Sequence, residues 1–164
     1  MRTLNRKLRA LIVGALITGA FVQGQTLKRG DIAPNFELQD WRTGETKSLY
    51  SYEGQIVVLD FFAYWCPPCA FSSPDAEENI SQYYEERDGN PGGVPIQLLS
   101  MNLESESEAS TDQFIEENGM ETVLDDSNFK VWEQYNAQGN IPVFVVINGV
   151  EDEQNGHQQW EILY

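Results

Sequence analysis

Three near-continuous apolar runs stand out against an otherwise polar chain. They are IVVLDFF at 56–62, IQLLSMNL at 96–103 and PVFVVINGV at 142–150. A half-exposed strand alternates apolar and polar residues, whereas a run of this kind is typical of a strand buried on both faces. The pattern therefore predicts three central strands of an α/β sheet.

Helical segments are predicted between these runs. Residues 69–87 should form one helix, which Pro74 should kink or divide. The segment 104–120 opens with an acidic stretch and becomes a helix that stops at Gly119, and a shorter helix follows at 127–137. Alternating strands and helices predict an α/β fold with right-handed crossovers. Three aromatic side chains of the shorter helix are expected in the core: Phe129, Trp132 and Tyr135.

Shorter strands are predicted at both ends of this unit. The segment 33–49 should form two short strands around a turn at Gly44. Near the C-terminus, Asn148 followed by Gly149 is a hairpin signal, and residues 157–164 would be the returning strand. The central sheet is thus expected to be mixed.

Residues 1–24 have the pattern of a secretory signal peptide. The basic segment MRTLNRKLRA leads into the uncharged run ALIVGALITGAFV, and the small Gly24 offers a cleavage point before Gln25. The alternative is an uncleaved membrane anchor, but an apolar helix of this length spans only about 20 Å, well short of the hydrocarbon core. We therefore expect residues 1–24 to be removed and residues 25–164 to form a single domain that is periplasmic or extracellular.

The predicted mature chain is strongly acidic. Four of the 10 basic residues and none of the 26 acidic residues lie in the leader, which leaves 6 basic against 26 acidic side chains. This charge argues against nucleic acid and against anionic membrane surfaces as partners. It is typical of a solvated acidic surface, and no stable membrane insertion is expected after cleavage.

The only two cysteines, Cys66 and Cys69, are separated by two prolines directly after the first apolar run. If a helix begins here, its N–H groups and dipole stabilise a thiolate on Cys66. Cys69, one turn later, can then resolve a mixed disulfide. Pro67 suits the first helical position, where a missing N–H costs little, and Pro68 removes another donor. The Cys66 thiolate should therefore rely mainly on the N–H of Cys69 and on the helix dipole.

A redox pair suits these two cysteines better than a structural disulfide, a zinc site or inert core thiols. A structural disulfide gains little from so short a loop, because the entropy that it removes grows with loop length. A zinc site needs about four ligands, and besides the two cysteines the chain offers only His157. Inert core cysteines fit poorly with Trp65 and the two prolines, which indicate a shaped, exposed turn. The redox pair is expected to work with no metal or cofactor.

The segment FFAYWCPPCAFSSP, with Pro74 five residues after the second cysteine, resembles the thioredoxin superfamily. It is most similar to the exported TlpA-like and ResA-like thiol–disulfide oxidoreductases. GDIAPNFELQD, at 30–40, is similar to the N-terminal region that these proteins share with peroxiredoxins. The resemblance covers Gly30–Tyr164 and implies a thioredoxin-like fold: a central mixed β-sheet flanked by helices, with an N-terminal β-hairpin extension. The last helix that is usual for this fold is expected to be missing.

The resemblance also implies a function. Cys66 would attack the disulfide of a protein substrate and Cys69 would resolve the product, with the enzyme acting as a reductant that an unidentified donor recharges. Pro142 matches the superfamily's cis-proline, which packs against the disulfide and leaves the backbone of the preceding residue, here Ile141, able to pair with a substrate strand. The expected substrate groove consists of Trp65, Pro67, Pro68, Ile141 and Pro142.

Two further positions bear on the mechanism. Asp60 lies six residues before Cys66, where thioredoxin has a buried Asp, and its place inside an apolar strand argues against a surface acid. A buried carboxyl should have a raised pKa and could accept the proton of Cys69 during resolution. ResA-like proteins carry Glu three residues after the second cysteine. Ser72 stands there, which puts in doubt any mechanism that needs that carboxylate.

Two rival functions are weighed against this one. Peroxiredoxins have Thr and Pro ahead of their reactive cysteine, whereas Ala63, Tyr64 and Trp65 stand here, which argues against a thiol peroxidase. Related copper carriers have three residues between their cysteines and a later His ligand. The spacing of two and the poorly placed His157 argue against a copper chaperone or a redox-silent binding module.

Overall fold

The computed structural model describes residues 26–135, 139–151 and 156–164. The predicted signal segment, residues 1–24, lies outside the described residues. Within these ranges, none of the helices has both the length and the apolar character needed to cross a membrane.

The described residues form one mixed sheet of seven strands, and the predicted α/β fold is confirmed. In chain order the strands are β1 (Glu37–Asp40), β2 (Thr46–Ser48), β3 (Ile56–Phe62), β4 (Ile96–Asn102), β5 (Val123–Asp125), β6 (Val143–Asn148) and β7 (Glu161–Ile162). In space their order is β2-β1-β5-β4-β3-β6-β7. β3 runs parallel to β4 and antiparallel to β6, which makes the sheet mixed as predicted.

Helices cover the sheet and follow the predicted order. They are α1 (Cys69–Ala76), a π-helical segment (Glu77–Gln82), α2 (Tyr83–Glu85), α3 (Glu108–Glu117) and α4 (Trp132–Tyr135), with a 3₁₀ turn at Leu49–Tyr52. The first three join end to end and account for most of the helix predicted at 69–87. Pro74 lies inside α1. Instead of the predicted sharp break at Pro74, the helix changes to π geometry three residues later.

The side chains of β3 divide between the two faces of the sheet. Val58 packs with Ala76 of α1, and Phe62 packs with Cys69, so the even-numbered residues of β3 face α1. Asp60 lies between them and shares this face. The odd-numbered residues Val57, Leu59 and Phe61 belong to the larger core on the opposite face.

Two elements differ from the sequence-based expectation. β5 has only three residues, too few to show a periodicity, yet it pairs with both β1 and β4 and so joins the N-terminal hairpin to the central sheet. The tight hairpin predicted at Asn148 is wrong, because β7 pairs with β6 only at Glu161–Ile162. The Asn148 amide instead donates to the carbonyls of Val150 and Gln158, which closes the neck of a longer loop.

The β6 strand is less covered than the strands in the middle of the sheet. Phe144 and Val146 share the α1 face with Val58 and Leu98 and are only partly buried there. β7 is the last element of the described residues. The exposed part of this face of β6 consists of partly buried apolar side chains.

Gly149 fixes the junction of β3 and β6 at the end opposite to the cysteines. Its N–H donates to the Gln55 carbonyl at 2.8 Å, and its carbonyl accepts the N–H of Gly54 at 2.8 Å. A methyl group here would lie 2.5 Å from the Gln55 carbonyl oxygen and 3.0 Å from that of Tyr52.

We therefore expect Gly149→Ala to lower the free energy of unfolding by about 1–3 kcal/mol, because backbone atoms cannot move aside as a side chain could. Gly92→Ala is the control, since its methyl would meet only the Asn90 side chain, at 3.2 Å. Urea unfolding of both variants measures the difference. Equal stability of the two variants would contradict the close packing at Gly149.

Candidate active site

The cysteine turn follows directly from the end of β3. The Ala63 carbonyl accepts the N–H of Cys66 at 3.0 Å, and the Cys66 carbonyl accepts the N–H groups of Cys69 and Ala70. The α-helix itself begins at Cys69, as the helix predicted over 69–87 does, and Pro68 is its N-cap. Cys66, predicted to be the N-cap or first residue of the helix, lies in the turn just before it, although its carbonyl accepts the first helical hydrogen bond, from the N–H of Ala70.

Cys66 and Cys69 form a disulfide with an S–S distance of 2.02 Å and a Cα–Cα distance of 5.3 Å. The N–H of Cys69 donates to the Sγ atom of Cys66 at 3.2 Å, as the sequence predicts. After reduction the same N–H would face a thiolate on Cys66 and stabilise it. This arrangement suits Cys66 to be the attacking sulfur.

The disulfide lies beneath its neighbours. Cys66 is 3% exposed and Cys69 is fully buried, whereas Trp65 is 59% exposed and both prolines are exposed. The prediction that this turn is exposed is therefore confirmed for Trp65, Pro67 and Pro68, but it is wrong for the two sulfur atoms, which are buried. Only a small part of the Cys66 side chain is therefore accessible to a partner.

The indole of Trp65 is held by an acidic side chain that follows β4. Its Nε1–H donates to the carboxylate of Glu104, which also accepts the backbone N–H of Glu106. These hydrogen bonds lower the pKa of Glu104, with the Glu106 N–H as the largest cause. Glu104 therefore stays ionised at neutral pH and keeps the exposed indole in place beside the disulfide.

A groove of about 470 Å³ runs beside Trp65. Its far wall contains Ile141, which precedes Pro142 in a cis peptide bond, as the superfamily pattern predicts. The ladder between β6 and β3 ends at Val143, so the backbone of Ile141 lies beyond it. The groove is lined by Trp65, Leu103, Glu104, Ser105, Glu106, Phe129, Trp132, Gly139 and Ile141.

Phe129 reaches this groove through an uncommon backbone conformation. Its φ of +60° lies in the left-handed region, and its side chain is 42% exposed. The buried Asp126 carboxylate holds the turn by accepting the N–H groups of Val131 and Trp132 at 2.9 and 2.7 Å. The interpretation of Phe129 as a core residue is wrong, because this turn directs its ring outward.

Asp60 is fully buried on the α1 face of β3, so the alternative of a surface acid is wrong. Neither carboxyl oxygen has a hydrogen-bond partner of normal geometry. Burial raises the pKa of Asp60 from 3.8 to about 6, and the nearby Ser73 hydroxyl offsets only part of that shift. Ser73 lies one helical turn after Cys69, so the Asp60 carboxyl sits beside the turn of α1 that carries Cys69.

Glu77 is a second buried acid, which the sequence pattern did not single out. It is 3% exposed, and burial raises its pKa from 4.5 to about 7. An acidic residue in a polar helix usually faces solvent, so composition gives no warning of this burial. The usable signal is its spacing, since Glu77 follows Cys69 by eight residues and Ser73 by four, on one face of the helix.

Within the described residues, no three or more His, Cys, Asp and Glu side chains are grouped so that they could hold a metal ion.

A cysteine pair just after a central strand, with a cis-proline directly before the neighbouring strand β6, defines the class: the chain is a thioredoxin-fold thiol–disulfide oxidoreductase. Residues 29–150 match the AhpC/TSA family, and the chain belongs to that family.

Individual relatives agree with this family. The thiol-disulfide oxidoreductase ResA of Oceanobacillus iheyensis is 30% identical over 150 residues, which cover 88% of this chain and 73% of that protein. ResA of Halalkalibacterium halodurans is 29% identical over 129 residues, covering 78% and 67%. A crystal structure assigned as the thiol:disulfide interchange protein DsbE of Chlorobium tepidum has a TM-score of 0.65 at 26% identity, covering 85% and 84%. The resemblance to the ResA-like and TlpA-like group is thereby confirmed.

The buried acid leads to a prediction about stability. Because the pKa of Asp60 is higher in the folded state, folding favours the protonated acid, and stability is lost as pH rises from about 4 through 6. Asp60→Asn removes this loss. The variant should be more stable than the wild type by about 3 kcal/mol at pH 8, from two pH units at 1.36 kcal/mol each, and nearly equal to it at pH 4.

Urea unfolding at both pH values measures this difference. Asp75→Asn is the control, since Asp75 is a more accessible acid on the same helix. An Asp60→Asn protein that is destabilised equally at pH 4 and pH 8 would contradict the burial of an ionisable carboxyl.

Proposed function

We propose that this protein reduces disulfides of protein substrates outside the cytoplasm through the Cys66–Cys69 dithiol. The observation that carries the proposal is the N–H of Cys69 directed at the Cys66 sulfur, beside a groove whose wall includes the residue before a cis-proline. A stabilised thiolate and a place for a substrate backbone are the two requirements of protein disulfide exchange.

The reaction proceeds in two exchanges. The Cys66 thiolate attacks one sulfur of the substrate disulfide, and the other substrate sulfur leaves as a thiolate that takes a proton from water. Cys69 then loses its proton and attacks the Cys66 sulfur, which releases the second substrate thiolate. Two electrons pass to the substrate, and an upstream donor must return them to the Cys66–Cys69 disulfide.

Asp60 is the proposed acceptor of the Cys69 proton. Its carboxyl lies on the face of β3 that packs against α1, and its pKa of about 6 leaves it mostly ionised at neutral pH. A base with a pKa close to the working pH is well matched to proton transfer. Ser72, in place of the glutamate of ResA-like proteins, leaves this role to Asp60.

The groove indicates how a substrate is held. Trp65 and Phe129 offer exposed aromatic surface, while Glu104 and Glu106 are the charged residues among those that line it. A substrate strand would pair with the backbone of Ile141 and place its cysteine over Cys66. Export is supported by the signal-like residues 1–24, and the direction of transfer by the resemblance to reductants.

Variants of the cysteines test the proposal. Cys66→Ser should abolish reduction of insulin disulfides, because it removes the attacking thiolate. Cys69→Ser should accumulate mixed disulfides with substrate proteins, because the second exchange is blocked. Mass spectrometry after acid quenching identifies the trapped sulfur.

Trapping by the Cys66→Ser variant would reverse the roles of the two cysteines. Rapid consumption of hydrogen peroxide by the reduced wild-type protein, without reduction of insulin, would favour the peroxidase alternative. A mature protein that retains residues 1–24 in the cytoplasm would contradict export.

Asp60→Asn tests the proton acceptor. The variant keeps the shape of the side chain but cannot take a proton, so resolution by Cys69 should slow on the order of 10²-fold. The first attack by Cys66 should be nearly unchanged, because its thiolate is stabilised by the N–H of Cys69. Stopped-flow fluorescence, with Trp65 beside the disulfide, separates the two steps. Wild-type resolution between pH 6 and 8 would make Asp60 a structural residue.

A further inference from the structure

The inner face of α1 carries polar groups where an apolar stripe is expected. Cys69, Ser73 and Glu77 follow one another at intervals of four residues, so they lie on one face of the helix. They are 0%, 1% and 3% exposed. An amphipathic helix normally buries apolar side chains on this face, because a buried polar group without a partner is costly.

The sheet presents further polar groups to this stripe. Asp60 of β3 is paired in register with Ser100 of β4, and both are buried on the α1 face. Several polar atoms of this cluster have no hydrogen-bond partner: both carboxyl oxygens of Asp60, the hydroxyls of Ser73 and Ser100, and Oε2 of Glu77. Buried polar atoms are usually paired, so exceptions concentrated in one place call for an explanation, and a catalytic role is one such explanation.

Glu77 connects this cluster to the protein surface. Its Oε1 accepts the backbone N–H of Glu121 at 3.1 Å, and Glu121 is exposed. Its Oε2 is the unpartnered, buried oxygen. Glu77 is also the first residue of the π-helical segment, a geometry that is rare in proteins and frequent at functional sites. The Glu77 carboxyl therefore has one oxygen in the buried cluster and the other hydrogen-bonded to the backbone of the exposed Glu121.

We propose that Glu77 works with Asp60 as a two-carboxyl relay that carries the Cys69 proton to solvent beside Glu121. The proposal rests on the function proposed above and adds a residue to its second step. The Cys69 S–H bond breaks and its proton goes to Asp60, while the electron pair stays on sulfur and attacks Cys66. The Ser73 hydroxyl, which is unpaired in the oxidised protein, then turns to bridge the two carboxyls, and the proton passes to Glu77 and leaves to water. Glu77 acts on sulfur only through Asp60, so it is a positioning residue.

The charges around the pair support an exchange of the proton between the two acids. Burial is the largest cause that raises the pKa of Glu77, and the charges of Glu121 and Asp60 raise it further, while Arg42 and the Glu121 N–H lower it. Asp60 faces the hydroxyls of Ser73 and Ser100 and the carboxyl of Glu77. With pKa values of about 6 and about 7, a proton can move between the two acids without a large change in free energy.

Glu77→Gln tests the relay. The resolution step should slow by about 10-fold at pH 7.5, less than with Asp60→Asn, because Asp60 still takes the first proton. The pH profile of the resolution rate should show one titration instead of two. The remaining titration, that of Asp60, should lie at lower pH, because the repulsion from the second carboxylate is lost. The attack by Cys66 should keep its rate. Glu77→Asp should restore the two-step profile in part.

Two controls isolate the effect. Glu78→Gln removes an exposed acid from the adjacent position and should leave both steps unchanged. In the Asp60→Asn background, Glu77→Gln should add no further loss, since two members of one relay are not additive. A Glu77→Gln protein with the wild-type pH profile, or with equal losses in both steps, would overturn the relay while leaving the dithiol chemistry intact. If the wild-type protein showed no disulfide exchange at all, the proposed function itself would be refuted instead.

A measurement on the wild-type protein covers the case in which Glu77→Gln does not fold. Carboxyl ¹³C NMR of the oxidised protein should show Asp60 and Glu77 titrating together, each curve with two inflections. Independent single titrations of the two carboxyls would overturn the relay.

Discussion

The pairing of β3 with a strand on each side is the constraint on which the active site depends. The parallel ladder with β4 runs from Ile56 to Phe62, and the antiparallel ladder with β6 ends at Phe61. Both ladders end just before the chain enters the cysteine turn. The register that buries β3 therefore also places Ile141 against the cluster that contains both cysteines, and Glu104 where it can hold Trp65. A slip of one residue would turn Asp60 to the opposite face of the sheet.

Residues with a strong local pattern could be predicted from the sequence, and those positioned by tertiary contacts could not. The apolar runs of β3, β4 and β6 and the proline-separated cysteines are such local signals. β5 is too short to show a period and forms because β1 and β4 flank it. Phe129 is of a type that is usually buried, and Glu77 is of a type that is usually exposed. In the structure Phe129 is exposed and Glu77 is buried. A turn held by Asp126 explains the first, and a helix face that continues from Cys69 explains the second.

Burying acids beside Cys69 has a cost in stability and raises the pKa values of their carboxyls. The carboxyls of Asp60 and Glu77 lie where leucine or valine would make a better core, because neither acid has its hydrogen-bonding capacity filled. The same desolvation raises their pKa values into the range in which proton transfer is efficient. The larger core on the other face of the sheet consists mainly of apolar side chains, and it can support a less stable face at the active site.

The described edges of the sheet are short on both sides. At one edge, β2 has only three residues. At the other edge, β7 has two residues, and the segment before β1 covers it, because the N–H groups of Gly30 and Ala33 donate to the carbonyls of Ile162 and Trp160. Long open edges are templates on which partly unfolded chains add strands and begin to aggregate. Because both edges are short or covered by neighbouring chain, they offer little of this template. A thiol–disulfide oxidoreductase that meets partly unfolded chains is thereby less exposed to co-aggregation with them.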